Sequence, residues 1–165
     1  MPAPSTLAQR EPLLPHDMLA LLARARALKR AALAGRTPLL LRGRIFGLVC
    51  ERSDAPDAQR FCRAVHELGA RVSEVRPVLD ERSSAHDVRQ TAQLLGRLYD
   101  AVEFQGSPPG LVRRVADEAG VPVYDGVASA RHPTAGLADM LGSDGESPDD
   151  NRRYVLQAVL VDAVS

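Results

Sequence analysis

Arg44-Ile45-Phe46-Gly47-Leu48-Val49-Cys50 is a short, almost continuous apolar run. That is the pattern of a strand covered on both faces, where no side chain has to meet water. Glu51-Arg52-Ser53-Asp54 follows at once. Ser53 or Asp54 stands where it can cap a helix that carries Phe61, Val65 and Leu68 on one face and stops at Gly69. Downstream the same unit recurs. Residues 70–75 alternate as a second strand, residues 87–99 repeat Val88, Thr91, Leu94, Leu95 and Leu98 at helical spacing behind Ser84 or Asp87, and residues 100–105 make a third strand. Pro108 and Pro109 start a helix over 110–119 that Gly120 ends, and Val121-Pro122-Val123-Tyr124 is a fourth strand.

Strand alternating with helix needs crossover connections, and these place strands parallel with helices above and below them. The expected fold is therefore α/β: a four-stranded, or slightly larger, parallel sheet with helices on both faces. Residues 1–15 hold Pro2, Pro4, Pro12 and Pro15 with few apolar positions in register, and read as a flexible N-terminal arm. Asp17 opens a helix over 18–33, ended by Gly35 and Pro38. At the other end a helix is expected over 133–141 and a Gly/Ser/Asp/Pro linker over 142–150. A final amphipathic helix over 151–164, with Val155, Leu156, Val159 and Leu160 inward, packs back on the domain. Residues 16–165 form one domain on this reading.

Composition agrees with one core. A chain of 165 residues with 45% hydrophobic content can bury one and is short for two. Lys+Arg and Asp+Glu both number 21, so no net field draws it to nucleic acid or to an anionic membrane, and neither is expected as a partner. Its apolar stretches fall far short of the roughly 20 residues that cross a bilayer. Cys50 and Cys62 stand outside any CxxC pattern behind no apolar leader, which fits a reducing cytoplasm. His16, His66 and His86 have no metal-ligand spacing with His132. No GxGxxG, Walker loop or GxSxG elbow occurs. No metal and no cofactor is expected.

Ligands of open parallel sheets bind beyond the carboxyl ends of the strands, so the loops at 51–57, 76–87, 105–109 and 125–133 are the candidates. The first is the natural anion loop. Asp54 and Asp57 lie there at the start of a helix, where a carboxylate can itself cap the free N–H groups and repel a phosphate. Arg52 and Arg60 flank it. Taken alone they are solvated surface arginines. His132 precedes Pro133 near the ligand edge, where an imidazole can donate to a carbonyl or phosphate oxygen. Taken alone it is a capping or loop histidine, with Asp139 as an internal hydrogen-bond partner.

Three stretches carry a resemblance. They are His16-Asp17-Met18 through Leu41-Arg42-Gly43-Arg44; Thr91-Ala92-Gln93-Leu94-Leu95 with Tyr99-Asp100-Ala101-Val102; and Val121-Pro122-Val123-Tyr124-Asp125-Gly126 with His132-Pro133-Thr134-Ala135-Gly136-Leu137-Ala138-Asp139. Over residues 16–141 the chain resembles the aspartate/ornithine carbamoyltransferase family, more the ornithine branch, and residues 151–161 resemble that family's last helix. The resemblance implies its carbamoyl-phosphate-binding domain, with the ornithine-binding domain excised and residues 142–150 in its place.

The candidate ligand-binding residues are Arg52, Ser53, Arg60, Gln105, His132 and Thr134, with His132 as the catalytic candidate, the one residue of the family's carbamoyl-contacting set that the resemblance keeps. The departures fall on that site. Asp54-Ala55-Pro56-Asp57-Ala58 stands where the family has Ser-Thr-Arg-Thr-Arg, Gln105-Gly106 where it has Arg-Thr, and Ala135 where it has the Gln after His-Pro. Carbamoyl phosphate or another small anion is then expected to bind weakly, because guanidinium pairing and stabilisation of the leaving phosphate are lost. The expected function is that of an ornithine-carbamoyltransferase-like protein of arginine and ornithine metabolism. It is expected to be catalytically inactive and to act as a binding or oligomerisation domain. By the same resemblance it is a homo-oligomer, a trimer, or the partner of a carbamoyltransferase. The alternative is a residual carbamoyltransferase, or another small-ligand enzyme using His132.

Overall fold

The structure, a computed structural model, describes residues 15–142 and 147–164. In chain order its elements are α1 (Pro15–Leu33), β1 (Ile45–Val49), α2 (Pro56–Glu67), β2 (Arg71–Val75), α3 (Ala85–Leu98), β3 (Ala101–Phe104), α4 (Pro109–Ala119), β4 (Val123–Asp125), a 3-10 helix (Ala135–Leu141) and α5 (Pro148–Val164). The four strands are all parallel in the order β2-β1-β3-β4, so the expected α/β sheet is present. Phe46 of β1 stands opposite Val72 on one side and Ala101 on the other. From Phe46 to Val49 every β1 residue is buried, as its apolar run requires.

Alternation along β1 divides the core. Phe46 and Leu48 join α1, α2 and α5 on one face, while Val49 joins α3 and α4 on the other. Phe46 meets Phe61 of α2 edge to face, with ring centroids 6.1 Å apart. On the opposite face α3 and α4 approach until backbone meets side-chain position: a Cβ added at Gly96 would lie 2.0 Å from the carbonyl oxygen of Ala119. Glycine is what permits that spacing.

Three expectations change. Helix α5 is not amphipathic; it starts at Pro148, and Asn151, Arg153 and Gln157 are buried together with its apolar residues. It lies against α1, α2 and the 3-10 helix at once, so no face is left for water. Asn151 donates to the carbonyl of Gly142 at 2.7 Å, and the other two find partners on α2. Arg153 pairs with Glu67 at 2.9 Å and with Asp150, while Gln157 donates to Glu67 at 2.9 Å and to the carbonyl of Ala64 at 3.3 Å. Burial opposes the Arg153 charge, but Asp150 and Glu67 more than offset it and raise its pKa. Secondly, the helix expected over 133–141 is a 3-10 helix that begins only at Ala135. Its end is tied to α1 by Lys29, which is buried and donates to the carbonyls of Leu141 and Gly142 at 3.3 Å each. Thirdly, α1 begins at Pro15, two residues before the expected Asp17. The arm expected over 1–15 otherwise lies outside the described residues. Among the described residues no helix is long and apolar enough to cross a membrane.

Candidate functional site

The strand order reverses at β1. The chain leaves it for β2 on one side and returns to β3 on the other, so the loops after β1 and β3 diverge and leave a crevice between them. A cavity of about 410 Å³ lies there. Glu51 lines it from the β1 end, Gln105 and Ser107 from the β3 end, and Asp80, Glu81 and Arg82 from the loop after β2. That third wall is built by local bonds. Asp80 N–H donates to Ser83 Oγ at 2.9 Å, Arg82 N–H donates to Asp80 Oδ1 at 2.8 Å, and Arg114 of α4 holds the Ser83 carbonyl at 3.0 Å. Ser84 then caps α3, accepting from Asp87 N–H at 3.1 Å, as its sequence position predicts.

In the loop after β1 the expected cap is replaced. The N-cap of α2 is Ala55, without a side-chain bond, and Pro56 occupies the first turn, where it has no N–H to satisfy. Neither Ser53 nor Asp54 caps. Asp54 instead takes Arg52 in a two-bond pair, Nε to Oδ1 at 3.2 Å and Nη2 to Oδ2 at 3.1 Å. Asp57 likewise takes Arg60 at 3.0 Å. Arg60 is no solvated arginine, since its side chain is only 13% exposed. It also donates to Asp149 at 2.7 Å and to the Ala128 carbonyl at 2.8 Å. Ser53 is exposed.

The loop after β4 is carried by Glu103, the one charged residue in β3 and fully buried. Its carboxyl accepts from Val127 N–H at 3.1 Å, from Ala128 N–H at 3.3 Å and from the Gln105 amide at 3.5 Å. Burial pushes its pKa up to about 8, against the opposing pull of these donors. Burial raises the Tyr124 phenol and the Cys50 thiol too, with Glu103 adding to both. His132 is buried, with Nδ1 2.8 Å from Thr134 Oγ1 and 3.3 Å from Thr134 N–H. Asp139, expected to serve His132, is exposed.

The expected site residues thus divide among several places. Gln105 lines the large crevice. Arg60 and Thr134 line a separate pocket of about 10 Å³ with Ser129 and Arg152, room for at most one water. His132 joins Thr134, while Arg52 and Ser53 line neither space. Sequence reasoning named the loops that hold Glu51 and the 80–82 wall without singling out those residues, and missed Arg152 and Glu103. Only Glu103 carried a signal, a lone acid inside the apolar run Ala101-Val102-Glu103-Phe104.

Residues 7–143 match the family model described as aspartate/ornithine carbamoyltransferase, carbamoyl-P binding domain. The chain is 36% identical over 117 residues to the ornithine carbamoyltransferase of Actinobacillus pleuropneumoniae serotype 5b (strain L20), covering 71% of this chain and 35% of that protein. It is 38% identical over 127 residues to the catabolic ornithine carbamoyltransferase of Burkholderia mallei (strain ATCC 23344), covering 76% and 38%. The chain therefore spans little more than a third of the length of these relatives. Among solved structures, ornithine carbamoyltransferase from Gloeobacter violaceus superposes with a TM-score of 0.61 at 29% identity, over 82% of this chain and 42% of that one. Ornithine carbamoyltransferase from Burkholderia thailandensis E264 gives a TM-score of 0.68 over 81% and 46%, and at 23% identity that likeness speaks for the fold alone.

Proposed function

The chain belongs to the aspartate/ornithine carbamoyltransferase family through its carbamoyl-phosphate binding domain, and from that premise we propose that it is a non-catalytic member, a domain of arginine and ornithine metabolism that binds and associates rather than transfers a carbamoyl group. One observation carries the reading. The arginines flanking the anion loop already hold carboxylates of the chain, the largely buried Arg60 on Asp57 and Asp149 and the exposed Arg52 on Asp54 at the surface. A phosphate entering there meets carboxylates first. Loss of a single preorganised donor to a developing anion typically costs about 10²–10³ in rate. Here Pro56, Ala58 and Gln105 stand at three family arginine positions, so turnover falls out of the useful range.

Association is the part of the function that survives loss of chemistry. The domain is a homo-oligomer, a trimer by family resemblance, or docks on a full carbamoyltransferase. The rival reading, residual carbamoyl transfer, draws on the fixed Thr134–His132 geometry, which holds the imidazole in one orientation. Calorimetry with carbamoyl phosphate, with inorganic phosphate as control, tests the choice beside an assay for citrulline formation from ornithine. Millimolar or absent binding with no product is the expected result. Micromolar binding, or product that disappears in His132→Ala, overturns it.

A further inference from the structure

Glu103 in β3 and Gln105 just beyond its end bond each other through their side chains, Gln105 Nε2 to Glu103 Oε2 at 3.5 Å. Glu103 is fully buried, whereas Gln105 lines the crevice of about 410 Å³. One carboxamide therefore joins a buried carboxyl to a cavity. The other partners of Glu103 are backbone N–H groups, Val127 on Oε1 at 3.1 Å and Ala128 on Oε2 at 3.3 Å. A backbone N–H can only donate. The titratable groups that face the carboxyl are Tyr124, its register partner on β4, and Cys50 at the end of β1. The phenol oxygen has no hydrogen-bond partner among the described residues, and a thiol sulfur is a weak acceptor. Arg60 of α2 and Arg152 of α5 donate to the Ala128 carbonyl, and among the described residues neither bonds Glu103.

A protonated Glu103 needs an acceptor for its O–H, since a buried polar group left unpaired is costly. Gln105 can supply one. A half-turn about its last torsion, which is soft and two-fold, exchanges Nε2 for Oε1. The end that leaves Glu103 is then presented to the crevice.

We propose that Glu103 is a positioning residue whose proton sets the hydrogen-bonding sense of Gln105 at the crevice. Protonated Glu103 donates to Gln105 Oε1, and the NH2 group faces the cavity as a pair of donors for a carbonyl or carboxylate oxygen of a small ligand. Ionised Glu103 accepts from Nε2, and the amide oxygen faces the cavity as an acceptor for a ligand N–H or O–H. Burial places the changeover at about pH 8. Burial also raises the Tyr124 phenol and the Cys50 thiol, so Glu103 ionises before either. At pH 7 about nine carboxyls in ten hold the proton, and the donor face is the one displayed.

Nuclear magnetic resonance of the whole chain tests this at the Gln105 side-chain amide, in the cold where its protons exchange slowly. The expected result is a shift of the Gln105 NH2 signals that follows one proton with a midpoint at about pH 8. Above the midpoint these protons show Overhauser contacts to the Ala128 amide proton, because both groups then donate to Oε2, and below it the contacts are lost. In Glu103→Gln the side-chain NH2 donates at every pH, so the contacts are absent and the shifts flat throughout. Contacts that persist unchanged through the midpoint, or a Gln105 titration that survives in Glu103→Gln, overturn the proposal. Should that variant not fold, the contacts of the unaltered chain decide by themselves.

Discussion

Arg60 Nη2 lies 2.7 Å from Asp149 Oδ1, joining α2 to the first turn of α5 across 89 residues of chain. The same guanidinium holds Asp57 at 3.0 Å and the carbonyl of Ala128 in the loop after β4 at 2.8 Å. An arginine next to the anion loop has become a clamp between three segments, and it cannot both do this and face a ligand.

Arg60→Ala is expected to lower the free energy of unfolding by about 1–3 kcal/mol, through the stranded Ala128 carbonyl and the lost charge-assisted bonds. Urea denaturation measures it. Weak carbamoyl-phosphate binding should be no weaker in the variant, and a marked loss of anion affinity would show Arg60 to be a ligand after all.

Gly96→Ala is expected to cost about 3 kcal/mol, because the new methyl collides with the backbone oxygen of Ala119, 2.0 Å away, and neither helix can yield without disturbing the core. The gain in helix propensity, about 1 kcal/mol, is too small to offset it. A lowered Tm with an unchanged circular dichroism spectrum is the expected signature.

Glu103 makes stability fall as pH rises. Its folded pKa of about 8 exceeds the ordinary 4.5, so the folded state holds a proton that the unfolded chain releases. The contribution is complete below pH 4.5, declines through the interval to pH 8, and is flat above. Glu103→Gln cannot titrate and should flatten that slope, read as the urea midpoint against pH. A slope that persists unchanged in the variant assigns the effect elsewhere.

Restoring charge should restore anion binding. Pro56→Arg with Gln105→Arg puts guanidinium groups back at two of the family's positions, and carbamoyl-phosphate affinity is expected to rise about tenfold or more. Calorimetry on the double variant is the measurement. No gain would mean that Asp54 and Asp57 alone keep the site closed.

The alternation of strands and helices, the parallel sheet and the family itself were legible in the residues, because local spacing governs the first two and residue identity the third. A buried strand must read as Ile45-Phe46-Gly47-Leu48-Val49, and crossover handedness leaves few ways to assemble four such units. Errors arose where a side chain had a choice of partner. Asp54 as a cap and Asp54 as the mate of Arg52 are equally consistent with the sequence, and proline at the first turn of α2 left the second open. In α5 the inward spacing of Val155, Leu156, Val159 and Leu160 suggested one wet face, yet α1 and α2 together cover the other.

The sequence by itself determined an α/β domain of this family, and the resemblance sets Pro56, Ala58 and Gln105 where it expects arginines, a comparison of residues that needs no fold to be made. Only the tertiary structure decided where the remaining charges go. Arg60 lies 89 residues from Asp149, and Glu51 shares one crevice with Asp80, Glu81 and Gln105 only because the strands bring their loops together at the sheet's switch point. Electrostatic partnership depends on distance in space, and local periodicity does not encode it.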